Sequence, residues 1–186
     1  MGYKTEERYR KSIRLKGYDY SKPGAYFITL CTSDHQCSLG RMENARIKLL
    51  PVGEMVTKIW NEIPQHFEQV EPDEYIIMPN HIHGILIIKK CNQVGVQNFE
   101  PLHDPNHRQI NRYQHVIPHS IGSIVRSIKS AVTHWCRQNG FPNFRWQRNY
   151  YDHIIRDEKE LDRIRKYIKQ NPKKWQIDDD HPKCWK

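Results

Sequence analysis

Met-Pro-Asn-His-Ile-His-Gly-Ile-Leu-Ile-Ile, residues 78–88, is the stretch that decides the fold of this 186-residue chain. Successive side chains of a β-strand point to opposite faces, so His81 and His83 share one face. The run 85–88 is apolar on both faces, which predicts a central strand covered on both sides. Two adjacent imidazoles can bind a divalent metal. The alternative to a metal site is a purely structural pair of histidines at a strand edge, with their hydrogen bonds made within the protein.

Four strands and two amphipathic helices are predicted around this stretch. The strands are expected at residues 25–32, 46–50, 74–78 and 81–89. The last two form a hairpin. One helix begins at Pro51, and a second is capped by Ser120 and carries a polar face that is either solvated or a track for phosphates.

The chain from Tyr150 onward is predicted to be helical. Its apolar stripe consists of Leu161, Ile164, Tyr167 and Ile168. The predicted order is therefore β-β-α-β-β-α-(β)-α. Strands joined by short turns imply an α+β domain, with an antiparallel sheet and helices packed on it.

The length and composition predict a single domain with polar ends. A basic arm spans residues 1–22, the domain spans 23–175 with a long loop at 91–119, and a polar tail spans 176–186. The longest apolar run is far shorter than the ~20 residues of a membrane helix, and the first residues lack an apolar signal segment. We therefore expect a cytoplasmic protein with no membrane partner.

The charge balance predicts a polyanionic partner. Lys and Arg number 30 against 21 Asp and Glu, for a formal net charge of +9, which favours nucleic acid. The five cysteines form no C-x-x-C pair, so we expect reduced thiols and no structural zinc. The glycine-rich and serine motifs of nucleotide-driven enzymes and serine hydrolases are absent from the sequence.

A second candidate for chemistry lies at residues 146–158. On a helix Tyr150 and His153 project together, with Gln147 one turn earlier. Placed near the histidine pair, they would form a three-ligand metal site beside a phenol. A phenol with its pKa of ~10 needs a nearby cation or base to become a nucleophile.

Four motifs in this order resemble the Y1 tyrosine transposases, the IS200/IS605-like enzymes and above all the REP-associated branch. They are His81-Ile82-His83 within residues 78–84, the helix at 121–132, Trp146-Gln-Arg-Asn-Tyr-Tyr-Asp-His at 146–153 with the residues up to 156, and Tyr167-Ile168 with Asn171-Pro172. The resemblance covers about residues 18–175. It implies a ferredoxin-like antiparallel sheet with helices on one face.

The resemblance also implies an activity, cleavage of single-stranded DNA at or near a hairpin through a 5′-phosphotyrosine. By position, Tyr150 is the nucleophile, and His81 and His83 are ligands of Mg²⁺ or Mn²⁺. In the IS200-like branch the third ligand is a Gln four residues after the Tyr. Here that position is Ile154, so His153 is the expected replacement, with Gln147 as a further ligand or an outer contact. Choosing Tyr151 as nucleophile would place Ile155 there, which cannot ligate either.

The charge and the resemblance together predict single-stranded or hairpin DNA as the partner. The protein itself is expected to be either a monomer or a homodimer. When bound to DNA the protein would associate with the nucleoid. The expected phosphate contacts are Arg14, Lys16, Arg126, Lys129, Arg145 and Arg148.

The sequence excludes one rival function and leaves another open. A histidine-triad hydrolase needs a third alternating His, and position 85 is Ile. A domesticated, non-catalytic binder of DNA or RNA hairpins remains the alternative, since a basic surface serves it equally well.

Overall fold

A computed structural model describes residues 15, 17–44, 46–90 and 117–175. The elements in chain order are β1 (Gly24–Cys31), a short 3-10 helix (Ser33–His35), β2 (Gly40–Glu43), β3 (Arg46–Leu49), α1 (Pro51–Asn61), α2 (Ile63–His66), β4 (Val70–Ile77), β5 (His81–Ile88), α3 (Ile121–Gln138), β6 (Tyr151–Ile155) and α4 (Glu158–Lys174). Most of the predicted arm, the loop at 91–116 and the tail at 176–186 lie outside the described residues.

The main sheet has four antiparallel strands in the order β4-β5-β1-β6. The predicted hairpin of β4 and β5 is confirmed, with Ile77 opposite Ile82. The central position of β5 is confirmed as well, since it lies between β4 and β1. In β1, Thr29 lies opposite His83 and Cys31 opposite His81, so the histidine pair is flanked by β1. The α+β fold expected from the sequence is therefore present.

Helices cover both faces of this sheet, which corrects the expectation of helices on one face. The larger apolar cluster joins α1 and α3 to the face that carries Ile28, Ile82 and Leu86. The smaller cluster joins α4 to the other face, which carries Phe27 and Ile85. We call these the α3 face and the α4 face. Because side chains alternate along β5, the two histidines lie on the α4 face.

Close packing holds β5 against α1 on the α3 face. The ring of Trp60, which is fully buried, lies over Gly84. A Cβ atom at position 84 would lie 2.3 Å from Cζ2 of Trp60, so only glycine fits there without displacing the ring or the strand. The glycine that follows the second histidine thus serves the packing of the opposite face.

The helix predicted from Tyr150 onward was wrong in its first part. Residues 151–155 form β6, an edge strand antiparallel to β1, and helix begins only at Glu158, after the N-cap Asp157. Strand β2 was not predicted; it forms a separate two-stranded ribbon with β3. The cap of α3 by Ser120 is confirmed, since its Oγ accepts a hydrogen bond from the Ser123 amide.

No helix in the described parts of the chain combines the length and the hydrophobicity needed to cross a membrane.

Candidate active site on the α4 face

The two imidazoles of the His81-Ile82-His83 motif lie side by side. Their ring centroids are 4.4 Å apart, and both residues are buried. The predicted common face of the pair is therefore confirmed. A buried imidazole needs a partner for each nitrogen, so the surroundings of the four ring nitrogens decide what the pair can do.

The ring of His81 is oriented by Asn80. The Asn80 Nδ2 donates to the His35 carbonyl at 3.1 Å, which turns Oδ1 of the same amide towards His81, where it lies 2.8 Å from Nδ1. Since an amide oxygen only accepts, the His81 proton resides on Nδ1 and the lone pair on Nε2. That Nε2 is buried and has no hydrogen-bond partner among the described residues. Burial, together with the charge of His35, lowers the pKa of His81 to about 3, so the ring is neutral at neutral pH.

The ring of His83 lies between a hydroxyl from β1 and a hydroxyl from α4. Thr29 Oγ1 is 2.9 Å from Nδ1, and the Tyr167 hydroxyl is 3.2 Å from Nε2. In the tautomer with its proton on Nδ1, His83 donates to Thr29 and accepts from Tyr167. Tyr167 is 41% exposed, so it is not a core residue as the stripe pattern predicted.

Helix α4 presents a stripe of side chains to the histidines at intervals of four residues. Tyr167 contacts His83, and two turns later the ring of Trp175 lies 5.9 Å from that of His81. Asn171 lies between them on the same stripe and is 2% exposed. Its Oδ1 is buried and has no hydrogen-bond partner among the described residues. No catalytic or metal-binding role was predicted for Tyr167 or Asn171 from the sequence.

The donor atoms of this site fit a divalent cation. Buried acceptors without partners are rare, because each costs about 1–3 kcal/mol. His81 Nε2 and Asn171 Oδ1 are two such acceptors. Helix spacing puts Asn171 between Tyr167 and Trp175, whose rings lie beside those of the two histidines. With His83 they make a set of two imidazole nitrogens and one amide oxygen, a mixture that suits Mn²⁺ and is compatible with Mg²⁺. In residues 15, 17–44, 46–90 and 117–175, no three His, Cys, Asp or Glu side chains are grouped to hold a metal.

The structure separates two of the expected ligands from this site. His153 lies on the α4 face of β6, but its Nε2 bonds Glu160 Oε1 at 2.9 Å, and it belongs to no metal-binding group of the described chain. Gln147 precedes β6 and lines a groove beside α3. The helix on which the two ligand assignments were based was wrong, because residues 151–155 form an edge strand. The ligand roles of His153 and Gln147 stay predictions.

Tyr150 lies on the opposite side of the sheet from the histidines. It packs against the apolar cluster of the α3 face, with Lys129 Nζ 5.8 Å from its ring centroid. The expectation that Tyr150 and His153 share a helix face was therefore wrong. The catalytic role of Tyr150, which was expected from its position in the resembling motif, stays a prediction.

The expected phosphate contacts fall into three groups. Arg126, Lys129 and Arg148 line one groove on the α3 face. Arg145 is exposed outside that groove, and its carbonyl accepts from the Ser33 amide. The remaining two, Arg14 and Lys16, lie outside the described residues.

Ion pairs fix α4 to the edge of the sheet. Arg165 donates to both carboxylate oxygens of Asp73, from Nε at 3.0 Å and from Nη2 at 2.5 Å, and Lys169 pairs with Glu74 at 2.8 Å. The guanidinium of Arg165 lowers the pKa of Asp73, and the carboxylate raises that of Arg165. These contacts set the position of the helix that carries Tyr167.

The chain is similar in sequence to a known bacterial protein. No protein-family model matches it. An uncharacterized protein of Haemophilus influenzae is 43% identical over 176 residues, which are 95% of each chain. The chain belongs to the family of this Haemophilus protein.

A solved structure shares the fold of this family member. It is that of a REP-associated tyrosine transposase bound to a REP hairpin, with a TM-score of 0.57 at 20% identity, covering 87% of this chain and 74% of that chain. The α+β fold with an antiparallel sheet, expected from the Y1 transposase resemblance, is thus confirmed, with helices on both faces of the sheet.

Proposed function

We propose that this protein is a metal-dependent endonuclease and strand transferase of the transposase type, which acts on single-stranded DNA at or near a hairpin with Tyr167 as its nucleophile. The observation that carries the proposal is the Tyr167 hydroxyl at 3.2 Å from His83, whose ring lies 4.4 Å from that of His81. Asn171, with its buried oxygen, lies one helical turn after Tyr167. The fold shared with a transposase and the basic charge of +9 support the same role.

The residues divide the work as follows. His81, His83 and Asn171 would hold a divalent cation, Mg²⁺ or Mn²⁺. When bound, that cation supplies neutralisation of the charge that develops on the scissile phosphate. Asn80 and Thr29 orient the two imidazoles, and burial keeps His81 neutral and able to ligate.

The reaction conserves the number of phosphoester bonds. The phenol oxygen of Tyr167 forms a bond to the phosphorus while the bond from phosphorus to the 3′ oxygen breaks. The leaving strand takes up a proton as a free 3′-OH, and the other strand remains joined through a 5′-phosphotyrosine. Attack by another 3′-OH reverses the step and rejoins strands without a nucleotide cofactor.

The test is formation of a covalent protein–DNA adduct in Mn²⁺. Because the tyrosine retains the 5′ phosphate, a hairpin oligonucleotide labelled at its 3′ end should give a labelled adduct on a denaturing gel. The same oligonucleotide labelled at its 5′ end should give only a released fragment. Tyr167→Phe should abolish the adduct, while Tyr150→Phe and Tyr151→Phe should retain it.

Three outcomes would contradict the proposal. An adduct formed by Tyr167→Phe excludes Tyr167 as the nucleophile. Loss of the adduct in Tyr150→Phe alone returns the role to the tyrosine on the α3 face. Hairpin binding that weakens with salt, without any adduct from the wild type, supports a non-catalytic hairpin binder.

A further inference from the structure

A groove of about 580 Å³ lies on the α3 face, away from the site of the histidines. One wall is the outer side of α3, and the other is the segment that leads into β6. The residues that line it are Gly122, Val125, Arg126, Lys129, Ser130, Thr133, His134, Arg137, Trp146, Gln147, Arg148 and Tyr150. We call it the α3 groove.

The α3 groove is uniformly basic. Arg126, Arg137 and Arg148 are exposed, and within the described chain no carboxylate lies within ion-pair distance of any of them. The sequence contains no Asp or Glu between Asp104 and Asp152. Exposed cations on a protein surface usually have acidic neighbours, so a run of this length without them concentrates positive potential along one groove.

Aromatic rings form part of the same groove. Trp146 is half-buried and held by an edge contact to Phe144, with ring centroids 5.1 Å apart, and Tyr150 is half-buried beside it. Lys129 fixes this wall, since its Nζ donates to the carbonyls of Gln147 at 2.8 Å and Asn149 at 3.1 Å. Burial lowers the pKa of Lys129 to about 8, in keeping with a residue that holds the wall together.

The combination points to single strands over duplex. Cations along a groove contact phosphates, and aromatic rings stack on bases at about 1–3 kcal/mol per base. In a duplex the bases are enclosed within the stack and cannot reach Trp146 or Tyr150. An unpaired segment exposes both phosphates and bases to the groove.

We propose that the α3 groove is a second nucleic-acid site, which binds unpaired nucleotides of the DNA whose phosphate is cut on the opposite face. The proposal rests on the proposed function for the identity of that DNA. Arg126, Arg137 and Arg148 bind phosphates, and Trp146 and Tyr150 stack on bases. A strand that occupies both sites passes around the edge strand β6, where Tyr150 and Tyr151 lie on opposite faces of the sheet.

Binding is best measured by fluorescence anisotropy in EDTA, which excludes cleavage. The probes are a labelled 12-nucleotide single strand and a blunt duplex of the same length. The groove variant is Arg126→Gln/Arg137→Gln. The matched control is Arg41→Gln/Lys58→Gln, which removes two exposed cations that are paired with Glu43 and Glu62 elsewhere. Both variants lower the net charge by two.

The groove variant should bind the single strand roughly tenfold more weakly, and the slope of log K against log salt should fall by about 1.4, for two phosphate contacts. The control should stay within about twofold of the wild type. Arg148→Gln, in the opposite wall, should weaken binding in the same direction. Melting curves check that all variants fold.

Equal effects of the groove and control variants would overturn the proposal, as would tighter binding of the duplex or equal competition by polyglutamate. The adduct assay in Mn²⁺ separates the two proposals. If binding depends on the groove but the wild type forms no adduct, the proposed nuclease activity is excluded and the proposed groove site is retained. If the wild type forms an adduct and the groove variant binds the single strand normally, the proposed groove site is excluded and the proposed nuclease activity is retained.

Discussion

The two faces of the sheet use their charged groups in opposite ways. On the α4 face two ion pairs, Asp73 with Arg165 and Glu74 with Lys169, hold a helix against the sheet. On the α3 face the larger apolar cluster already holds the helix, and the cations of the groove have no carboxylate partners within the described chain. The difference shows that a site with fixed geometry needs its charges for positioning, whereas a binding surface leaves them for the ligand.

The largest expected difference between the faces concerns two asparagines. Asn171→Ala removes a buried oxygen from the α4 face and should lower Mn²⁺ affinity and the rate of adduct formation by about 100-fold. Asn139→Ala, at the exposed end of α3, should leave both unchanged. Asn171→Asp keeps an oxygen donor and should keep the affinity. Calorimetric titration with Mn²⁺ decides, and unchanged affinity in Asn171→Ala would remove Asn171 from the site.

A pH effect should follow from the burial of His81. Its folded pKa of about 3 lies below the ordinary 6.5, so between these values the unfolded chain binds a proton that the folded chain does not. The free energy of unfolding should therefore fall as pH drops from 6.5, by up to about 1.4 kcal/mol per pH unit from this group. Urea titrations in EDTA should show a shallower fall in His81→Gln. Identical pH profiles would mean that His81 is not buried as described.

Gly84→Ala tests whether packing on the α3 face controls the site on the α4 face. The added methyl would collide with Trp60 and should destabilise the protein by about 1–3 kcal/mol. Because β5 carries both histidines, the rate of adduct formation should fall even below the melting temperature. Gly140→Ala is the control, since it strains a residue at φ +86° after α3 but has open space around it. It should cost stability, about 1 kcal/mol, without loss of rate in the folded protein.

The smallest expected effect comes from the ion pair of α4. Asp73→Asn removes the partner of Arg165 and should lower the free energy of unfolding by roughly 1 kcal/mol, with a modest loss of adduct rate as α4 loosens. Glu71→Gln, which breaks an exposed pair with Lys89, should cost less than about 0.5 kcal/mol and leave the rate unchanged. Equal effects of the two variants would show that α4 is held by its apolar contacts alone.

The histidine pair was predictable because its signals are local. Alternation along β5 places both rings on one face, and the apolar run identifies a central strand. The strand β6 was missed because residues 150–155 also fit helical spacing, and only pairing with β1, far away in the sequence, decides between the two. The ribbon partner β2 was missed because four residues carry too little pattern.

Tyr167 was not identified as a functional residue from the sequence, because its helical spacing matches that of the apolar residues of α4. The resemblance places a Gln four residues after the tyrosine, and the corresponding positions after Tyr150 and Tyr151 are Ile154 and Ile155. The position four residues after Tyr167 is Asn171, which carries the same amide group on a shorter side chain, and this relaxed rule would have found the site from the sequence. The α3 groove could not be found in that way, because it combines residues of α3 with residues of the segment before β6.

The motif at residues 81–84 obeys two constraints that alternate along the chain. His81 and His83 are constrained by the site on the α4 face. Ile82 and Gly84 are constrained by packing on the α3 face, where Gly84 contacts Trp60. A saturation screen that selects for activity would therefore find every position of the motif intolerant. Measuring the yield of soluble protein separately from its activity should divide the motif into two classes of position. Substitutions at the odd-numbered positions should reduce activity, and substitutions at the even-numbered positions should reduce the yield of soluble protein.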